Sequence, residues 1–248
     1  MSITFETKCW EHDWMYLLKE GYLEKMIDNC NYNFDERVLF INNVNDLSRV
    51  EMYAQKKIDQ GVIDRYVIVD KYAKEVLSFF QISKDDFKGG YYYSIAELTS
   101  IFLCETDLLL HFSGDSLIKE NNNWVEKSIK LLTESNDYFV SNPVWENDHN
   151  GVRRESIKET DEIYVGYGFS DQCYMVRTTD FKNAIYHETN LLSERYPKYG
   201  GELFEKRVDS YMRNHNLLRV TSKCAFYQHK NYKKRGLIKR IIDNNFYI

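Results

Sequence analysis

The chain has 248 residues, enough for one large domain with a substantial hydrophobic core. Hydrophobic residues make up 43% of the sequence and charged residues 29%, a globular composition that excludes wholesale disorder. The net charge of −5 argues against a protein whose whole surface binds nucleic acid, so we expect no nucleic-acid partner.

Short apolar or β-branched runs alternate with longer amphipathic stretches along the chain. The short runs predict strands at residues 2–5, 37–41, 65–69, 106–112, 138–141, 172–177 and 217–221. The amphipathic stretches predict helices at residues 13–29, 48–60, 73–80, 92–104, 124–134 and 204–214. This alternation is typical of repeated βαβ units. We therefore expect an α/β fold with a mainly parallel central sheet flanked by helices.

Cysteine usage and the N-terminal segment indicate the compartment. The five cysteines are scattered without close pairs, which fits reduced thiols better than a disulfide framework or a zinc site. The first residues include acids where a signal peptide needs an apolar run, and no apolar stretch approaches the roughly 18 residues of a membrane span. We expect a cytoplasmic protein.

The C-terminal end is basic. Residues 230–240 include six positive residues and no acid, and we predict a basic tail over 233–248. Such tails are most often simply solvated. Contact with an anionic membrane surface or an anionic polymer is the alternative, so peripheral membrane association stays open.

The common nucleotide and hydrolase motifs are missing from the sequence. No glycine-rich GxGxxG follows the first predicted strand, and no GxxxxGK[ST] loop is present. The sequence also lacks a GxSxG nucleophile elbow and an HExxH zinc motif. A dinucleotide dehydrogenase, a P-loop enzyme, a serine hydrolase of that type and a zincin are therefore not expected.

Polar residues follow several predicted strands. They are Thr7 and Lys8, the turn at 43–46, Asp70 and the turn at 113–116. Ligands of parallel α/β sheets bind beyond the carboxyl ends of the strands. These four positions are therefore the candidate ligand contacts.

The segment 89–116 is the most informative part of the sequence. A glycine pair opens a helix, the helix leads to a hydrophobic strand, and the strand ends in a polar turn that contains Asp115. A carboxylate there can hold Mg²⁺ or Mn²⁺, and such an ion neutralises charge on a leaving phosphate. The alternative is a turn in which Asp115 caps the next helix.

The order of these segments resembles the GT-A-fold glycosyltransferases, in particular the large family-2-like group, over residues 2–232. The segments that carry the resemblance are 3–8, 38–46, the DxD-type region 89–115, the acceptor-side segment 168–177 and the acidic helix start 201–205. The DxD-like turn reads Ser113-Gly114-Asp115, so only its last acid is present.

The resemblance implies a Rossmann-like GT-A catalytic domain over residues 1–232. Its nucleotide-sugar half would cover about 1–145 and its acceptor half about 146–232. It implies an enzyme of carbohydrate biosynthesis that moves a sugar from a nucleotide-diphosphate sugar to a hydroxyl of a glycan or another acceptor, with metal assistance and inversion at the anomeric carbon.

The resemblance also assigns donor-side residues. The nucleotide sugar would contact Thr7, Lys8, Asn43, Asp46, Asp70 and Ser113. Asp115 would bind Mn²⁺ or Mg²⁺, and His229 resembles a late histidine that reaches back to the metal. A packed or surface position is the alternative for His229.

The acceptor side carries the predicted base. Inversion needs a carboxylate that removes the acceptor proton. Glu202 is the first candidate and Glu205 the second, although both are also acids of the kind that helix starts favour. Asp171 is predicted to bind acceptor hydroxyls and Trp145 to stack on a sugar, with a turn residue and ordinary packing as the alternatives.

Two other functions stay open at this point. A carbohydrate- or nucleotide-binding module could keep the sheet without the chemistry, which the single acid of the DxD-like turn suggests. A nucleotidyltransferase on a similar sheet is ranked last, because the first strand lacks a glycine-rich, basic loop for a triphosphate.

Overall fold

The computed structural model describes residues 1–19, 21–119, 123–196 and 202–229. The basic tail and the glycines Gly200 and Gly201, which precede the predicted base, lie outside these described residues. Among the described helices, none has the length and apolar character to cross a membrane.

The described residues form ten strands and nine α-helices. The strands are β1 (Ile3–Cys9), β2 (Glu36–Ile41), β3 (Arg65–Ile68), β4 (Leu108–Phe112), β5 (Ser116–Ile118), β6 (Tyr138–Trp145), β7 (Ser156–Glu159), β8 (Ile163–Gly166), β9 (Cys173–Arg177) and β10 (Leu218–His229). The α-helices are α1 (Trp14–Leu17), α2 (Tyr22–Asp28), α3 (Leu47–Asp59), α4 (Val69–Phe79), α5 (Tyr91–Leu103), α6 (Trp124–Glu134), α7 (His149–Arg154), α8 (Thr178–Phe181) and α9 (Phe204–Asn214). Short 3₁₀ turns cover Lys84–Phe87 and Leu191–Arg195.

One sheet contains all ten strands, in the order β3-β2-β1-β4-β9-β6-β10-β8-β7, with β5 paired to β10. Strands β1 to β4 are parallel to one another, and β9 is antiparallel to both β4 and β6. Because β6 and β10 are parallel, six strands (β1, β2, β3, β4, β6 and β10) run in the same direction. The prediction of a mainly parallel α/β sheet is confirmed.

The sheet is buried on both faces, as its continuous apolar runs require. In β4, Leu108, Leu110 and Phe112 pack into one core, whereas Leu109 packs into the other core on the opposite face. This alternation follows from the period of two along a strand. Helices on each face complete the two cores, which is the arrangement expected for a sheet with parallel crossovers.

Three local predictions differ from the structure. The helix expected at 13–29 is two helices, α1 and α2, because Gly21 adopts a left-handed φ of 84° between them. Helix α4 begins at Val69, so Asp70 lies in its first turn and does not end a strand. The hairpin of β7 and β8 was not predicted, because β7 is largely exposed and lacks an apolar run.

Candidate active site

The carboxyl ends of β1 and β4 meet at one edge of the sheet. Gly114, in the turn after β4, lies so close to β1 that a Cβ on it would be 2.4 Å from the Lys8 carbonyl oxygen and 3.1 Å from Asp13 Oδ2. Only glycine allows this approach without displacing backbone. The close approach brings the turn that contains Asp115 next to the end of the first strand.

Asp115 and His229 come together although 113 positions separate them in the sequence. His229 Nε2 lies 2.8 Å from Asp115 Oδ1, and both side chains are largely buried. Strand β5 pairs with the end of β10 and places Ser116 opposite His229, so the Asp115 turn lies next to the end of β10. Ser113 Oγ lies 3.4 Å from Asp115 Oδ1 and 2.6 Å from Ser116 Oγ. The predicted proximity of Asp115 and His229 is therefore a feature of the fold, and their role as metal ligands stays a prediction.

The predicted cation site fits these residues only in part. One carboxylate and one imidazole are suitable ligands for Mn²⁺. However, the two ligand atoms are directed at each other, and the part of the chain that the structure describes holds no cluster of three His, Cys, Asp or Glu side chains suited to a metal. A bound ion would therefore depend on oxygens of its substrate.

Lys8 occupies the centre of this edge. It forms an ion pair with Glu97 of α5, whose side chain is fully buried, while 20% of the Lys8 side chain is exposed. Burial lowers the pKa of Lys8, and the nearby charges of Asp171, Glu6, Asp13 and Asp115 oppose that shift. Lys8 thus lies among the acidic residues of the site and interacts electrostatically with both Asp115 and Asp171.

A cavity of about 500 Å³ opens beside this edge and extends along β6 and β10, from Arg219 near the start of β10 to Trp145 at the end of β6. Trp145, which ends β6 and is 48% exposed, lines it together with Gln172 and Tyr227. Gln172 connects the cavity to the Asp115 turn, because its Nε2 lies 3.5 Å from His229 Nδ1 and its Oε1 accepts the Tyr227 hydroxyl at 3.1 Å. The predicted stacking of Trp145 on a sugar stays a prediction.

Glu205 lies on the wall of the same cavity. Burial, followed by the charge of the adjacent Asp171 carboxylate, raises the pKa of Glu205 well above its usual value. The hydrogen bond from the Asp171 backbone N–H and the positive charges of Arg195 and Lys8 act in the opposite direction and lower the pKa, but they do not outweigh the rise. The structure therefore brings Glu205, Asp171 and Lys8 together. A carboxylate with a raised pKa in a cleft is typical of general acid–base catalysis.

Glu202, the first candidate for the base, lies elsewhere. Its backbone N–H donates to the Phe87 carbonyl, and its carboxylate pairs with Lys206 at 3.1 Å and Lys88 at 3.6 Å. Burial acts to raise the pKa of Glu202, but the hydrogen bond from Lys206 and the nearby positive charges outweigh it and lower the pKa. Glu202 does not line the cavity of Glu205. The geometry favours the second candidate over the first.

The predicted nucleotide contacts are scattered along the edge. Thr7 is fully buried in β1, which disfavours contact between its side chain and a nucleotide. Asp46 is exposed and caps α3 by accepting the Arg49 N–H at 3.1 Å. Asn43 and Asp70 are also exposed. Asp70 lies near Tyr91 of α5, and the pKa of Tyr91 is raised by burial and then by the negative charge of Asp70. Their roles in nucleotide binding stay predictions.

Comparison with known proteins bears on the fold. No protein-family model and no curated protein sequence matches the chain. Among solved structures, a CMP:2-keto-3-deoxy-manno-octonic acid synthetase is similar with a TM-score of 0.54 and 10% identity, over 89% of each chain. A mycobacterial protein is similar with a TM-score of 0.52 and 12% identity, over 96% of this chain and 69% of that one.

The fold is GT-A-like, as the two structures with TM-scores above 0.5 indicate. At identities this low, similarity extends to the fold alone. The predicted nucleotide-sugar type of fold is confirmed, and the chemistry must be inferred from the residues of this chain.

Sequence reasoning missed the charged wall of the cavity. Arg195 is the last residue of an unpredicted 3₁₀ turn, and Arg219 and Thr221 lie on β10. A signal for the last two was present, since polar residues two apart in a strand share a face. Arg195 had no such signal, because only the tertiary fold brings it to the cavity.

Proposed function

We propose that the chain is a glycosyltransferase that moves a sugar from a nucleotide-diphosphate sugar to a hydroxyl group of a glycan or another acceptor. The observation that carries the proposal is Glu205, a carboxylate with a raised pKa on the wall of a cavity of about 500 Å³. One end of this cavity, at Trp145, Gln172 and Tyr227, reaches the carboxyl edge of the sheet, where ligands of open α/β folds bind.

In this proposal Glu205 is the general base. Its carboxylate accepts the proton of the acceptor hydroxyl while the hydroxyl oxygen attacks the anomeric carbon. The bond between that carbon and the diphosphate oxygen breaks, and its electron pair leaves with the diphosphate. Because this is a single displacement, the configuration at the anomeric carbon inverts.

The surroundings of Glu205 suit this role. Its raised pKa makes the carboxylate a stronger base than a solvated glutamate. The Asp171 backbone N–H, Arg195 and Lys8 oppose the rise and favour the ionised form. Asp171 and Trp145 would then contact the acceptor, and the Asp115 turn would lie beside the donor diphosphate.

Asp115 and His229 are the residues that would hold a divalent cation. Such an ion would neutralise charge on the diphosphate. The Lys8 ammonium, an electrostatic neighbour of Asp115, supplies positive charge at the same edge from the chain itself.

The test is a matched pair of substitutions. We expect Glu205→Gln to lower kcat by about 10²- to 10⁴-fold, the usual contribution of a general base. Glu202→Gln, three positions away, should stay within a few-fold of the wild type because Glu202 lies outside the cavity. Sugar transfer is measured from a panel of nucleotide sugars to a mixed panel of acceptors, and donor affinity is measured by titration.

The reverse pattern, with only Glu202→Gln inactive, would return the role of base to Glu202. A binding module remains the competing function, and the direct Asp115–His229 contact favours it because that contact occupies both predicted metal ligands. A wild-type chain that binds nucleotide sugars without hydrolysing or transferring them would establish that function. Release of pyrophosphate from a nucleoside triphosphate would instead indicate a nucleotidyltransferase.

A further inference from the structure

The cavity that contains Glu205 has an unusual set of charged side chains. Arg154, Arg195 and Arg219 all line it. Arg195 and Arg219 both pair with one carboxylate, that of Glu155, and the Arg219 Nη2–Glu155 Oε2 distance is 3.4 Å. One negative charge is thus shared by two guanidinium groups.

The other acids of the wall are placed apart from this pair. Asp148 is the N-cap of α7 and accepts the Gly151 N–H at 2.8 Å. Glu205 lies beside Asp171. Among the described residues, Glu155 is therefore the one acid within ion-pair distance of Arg195 and Arg219.

Several buried polar atoms of this wall have no partner among the described residues. They are Arg219 Nε, Thr221 Oγ1 and Asn142 Oδ1. The Thr221 and Asn142 side chains are 2% and 4% exposed, and the two residues are directly paired between β10 and β6. Buried polar groups in folded proteins are nearly always hydrogen-bonded, so partners from a ligand or from water are expected here.

The backbone is shaped to bring the two arginines together. Gly168 has a φ of 103°, and a Cβ on it would lie 2.7 Å from Arg195 Nη2 and 3.0 Å from Arg219 Nη1. Without a side chain at this position both guanidinium groups fit against the loop. Guanidinium forks match the geometry of carboxylate and phosphate oxygens.

We propose that the acceptor carries an anionic group, a carboxylate or a phosphate, and that Arg195 and Arg219 bind it in this cavity. This inference rests on the proposed function, because the inference identifies the class of acceptor whose hydroxyl reacts beside Glu205. The anion binds the side of the guanidinium pair that faces away from Glu155. Thr221 and Asn142 contact polar groups of the same molecule, and Arg154 contributes charge at the mouth.

The experiment compares matched acceptors that differ in one group. Methyl glucoside is the neutral probe, methyl glucuronide carries a carboxylate and methyl glucoside 6-phosphate carries a phosphate. Binding is measured by calorimetry and transfer is measured separately. The variants are Arg219→Gln and Arg195→Gln, of which the second should fold readily because Arg195 is exposed. Arg153→Gln is the control, since this neighbouring arginine pairs with Glu159 and does not line the cavity.

We expect at least one anionic probe to bind at least tenfold more tightly than the neutral probe. Each cavity variant should reduce that ratio at least tenfold, and Arg153→Gln should leave it unchanged. The better of the two anions identifies the group. Equal binding of all three probes to the wild type, or a ratio that survives both variants, would overturn the inference even if transfer occurs. Selective anion binding without any sugar transfer would leave the anion site standing and contradict the proposed function.

Discussion

Two regions beside the carboxyl edge differ in how their polar groups are paired. In the donor end, formed by Lys8, Glu97, Ser113, Asp115 and His229, ion pairs and hydroxyl contacts link the side chains to one another, and Glu97 is ion-paired with Lys8 although its oxygens have no hydrogen-bond partner among the described residues. In the arginine cavity, formed by Asn142, Glu155, Arg195, Arg219 and Thr221, several buried polar atoms have no partner among the described residues.

The difference affects how each region would receive a ligand. A nucleotide sugar at the donor end must exchange existing contacts for new ones, so part of its interaction energy replaces interactions already present. A ligand in the arginine cavity meets groups whose desolvation has already occurred on folding, so new hydrogen bonds there are more favourable. We therefore expect stability to be the more sensitive readout at the donor end and ligand selectivity the more sensitive readout in the cavity.

The largest stability effect is expected from Lys8→Met. It leaves the fully buried Glu97 carboxylate without its cation, and breaking a buried ion pair typically costs about 3–5 kcal/mol. Urea unfolding monitored by fluorescence measures the change. The double variant Lys8→Met/Glu97→Leu should recover most of the loss, because an apolar pair of similar volume is often tolerated in place of a buried ion pair.

Arg219→Gln is the matched variant in the cavity. The contact of Arg219 with Glu155 is long and its Nε has no described partner, so we expect a much smaller loss of stability than for Lys8→Met. Similar losses for both variants would contradict the contrast between the two regions. A double variant at Lys8 and Glu97 no more stable than Lys8→Met would show that Lys8 stabilises the fold through its other acidic neighbours.

The second prediction concerns the pH dependence that Glu205 imposes. Because its pKa is raised, the base form is lost as the pH falls through that raised value, and kcat/KM should then fall about tenfold per pH unit. The free energy of unfolding depends on pH in the opposite direction. Folding favours the protonated carboxyl, so this stabilisation is complete below the usual pKa of 4.5 and is lost as the pH rises towards the raised value.

Glu205→Gln, which stays neutral, should therefore be more stable than the wild type at neutral pH and similar to it near pH 4. Glu202→Gln should behave oppositely, because the lowered pKa of Glu202 means that its ionised form stabilises the fold above the usual pKa. Thermal unfolding of the three proteins between about pH 4 and pH 8 measures both signs. A Glu205→Gln variant less stable than the wild type at neutral pH would show that the carboxylate is stabilised in the fold.

Much of the fold could be predicted from the sequence because its core strands are continuous apolar runs. Helix α6 was predicted with its observed bounds, and the strand at 37–41 differs by one residue. The hairpin of β7 and β8 and the long extension of β10 to His229 were missed, since neither has a sustained apolar pattern. Pairing with neighbouring strands determines both, and a single-sequence pattern does not contain that information.

The candidate site was predictable in part, and the reason is geometric. Asp115 follows a strand, so the rule that ligands bind beyond carboxyl ends finds it. Trp145 was predicted from its aromatic ring, which can stack on a sugar. The choice between Glu202 and Glu205 could not be made, because both are acids at a helix start and only packing shows that Glu202 faces Lys206. Thr7 follows the same rule as Lys8 but points into the core, where its neighbours Leu39 and Phe112 bury it.

The smallest effect is expected at the Asp115–His229 contact and tests whether a metal binds there. Asp115→Asn removes the charge while preserving the shape of the side chain. If the pair supplies ligands to a divalent cation, Mn²⁺ should strengthen binding of a nucleoside diphosphate to the wild type, and this enhancement should fall about tenfold in the variant, equivalent to about 1.4 kcal/mol. Calorimetry with and without chelator measures it, and Asp64→Asn, at the exposed Arg37–Asp64 ion pair outside the donor end, is the control. If Mn²⁺ does not change the affinity of the wild type for the nucleotide, the Asp115–His229 ion pair persists when the nucleotide is bound. The donor end would then rely on Lys8 for positive charge, and its polar groups would remain bonded to one another when ligand is present, unlike those of the arginine cavity.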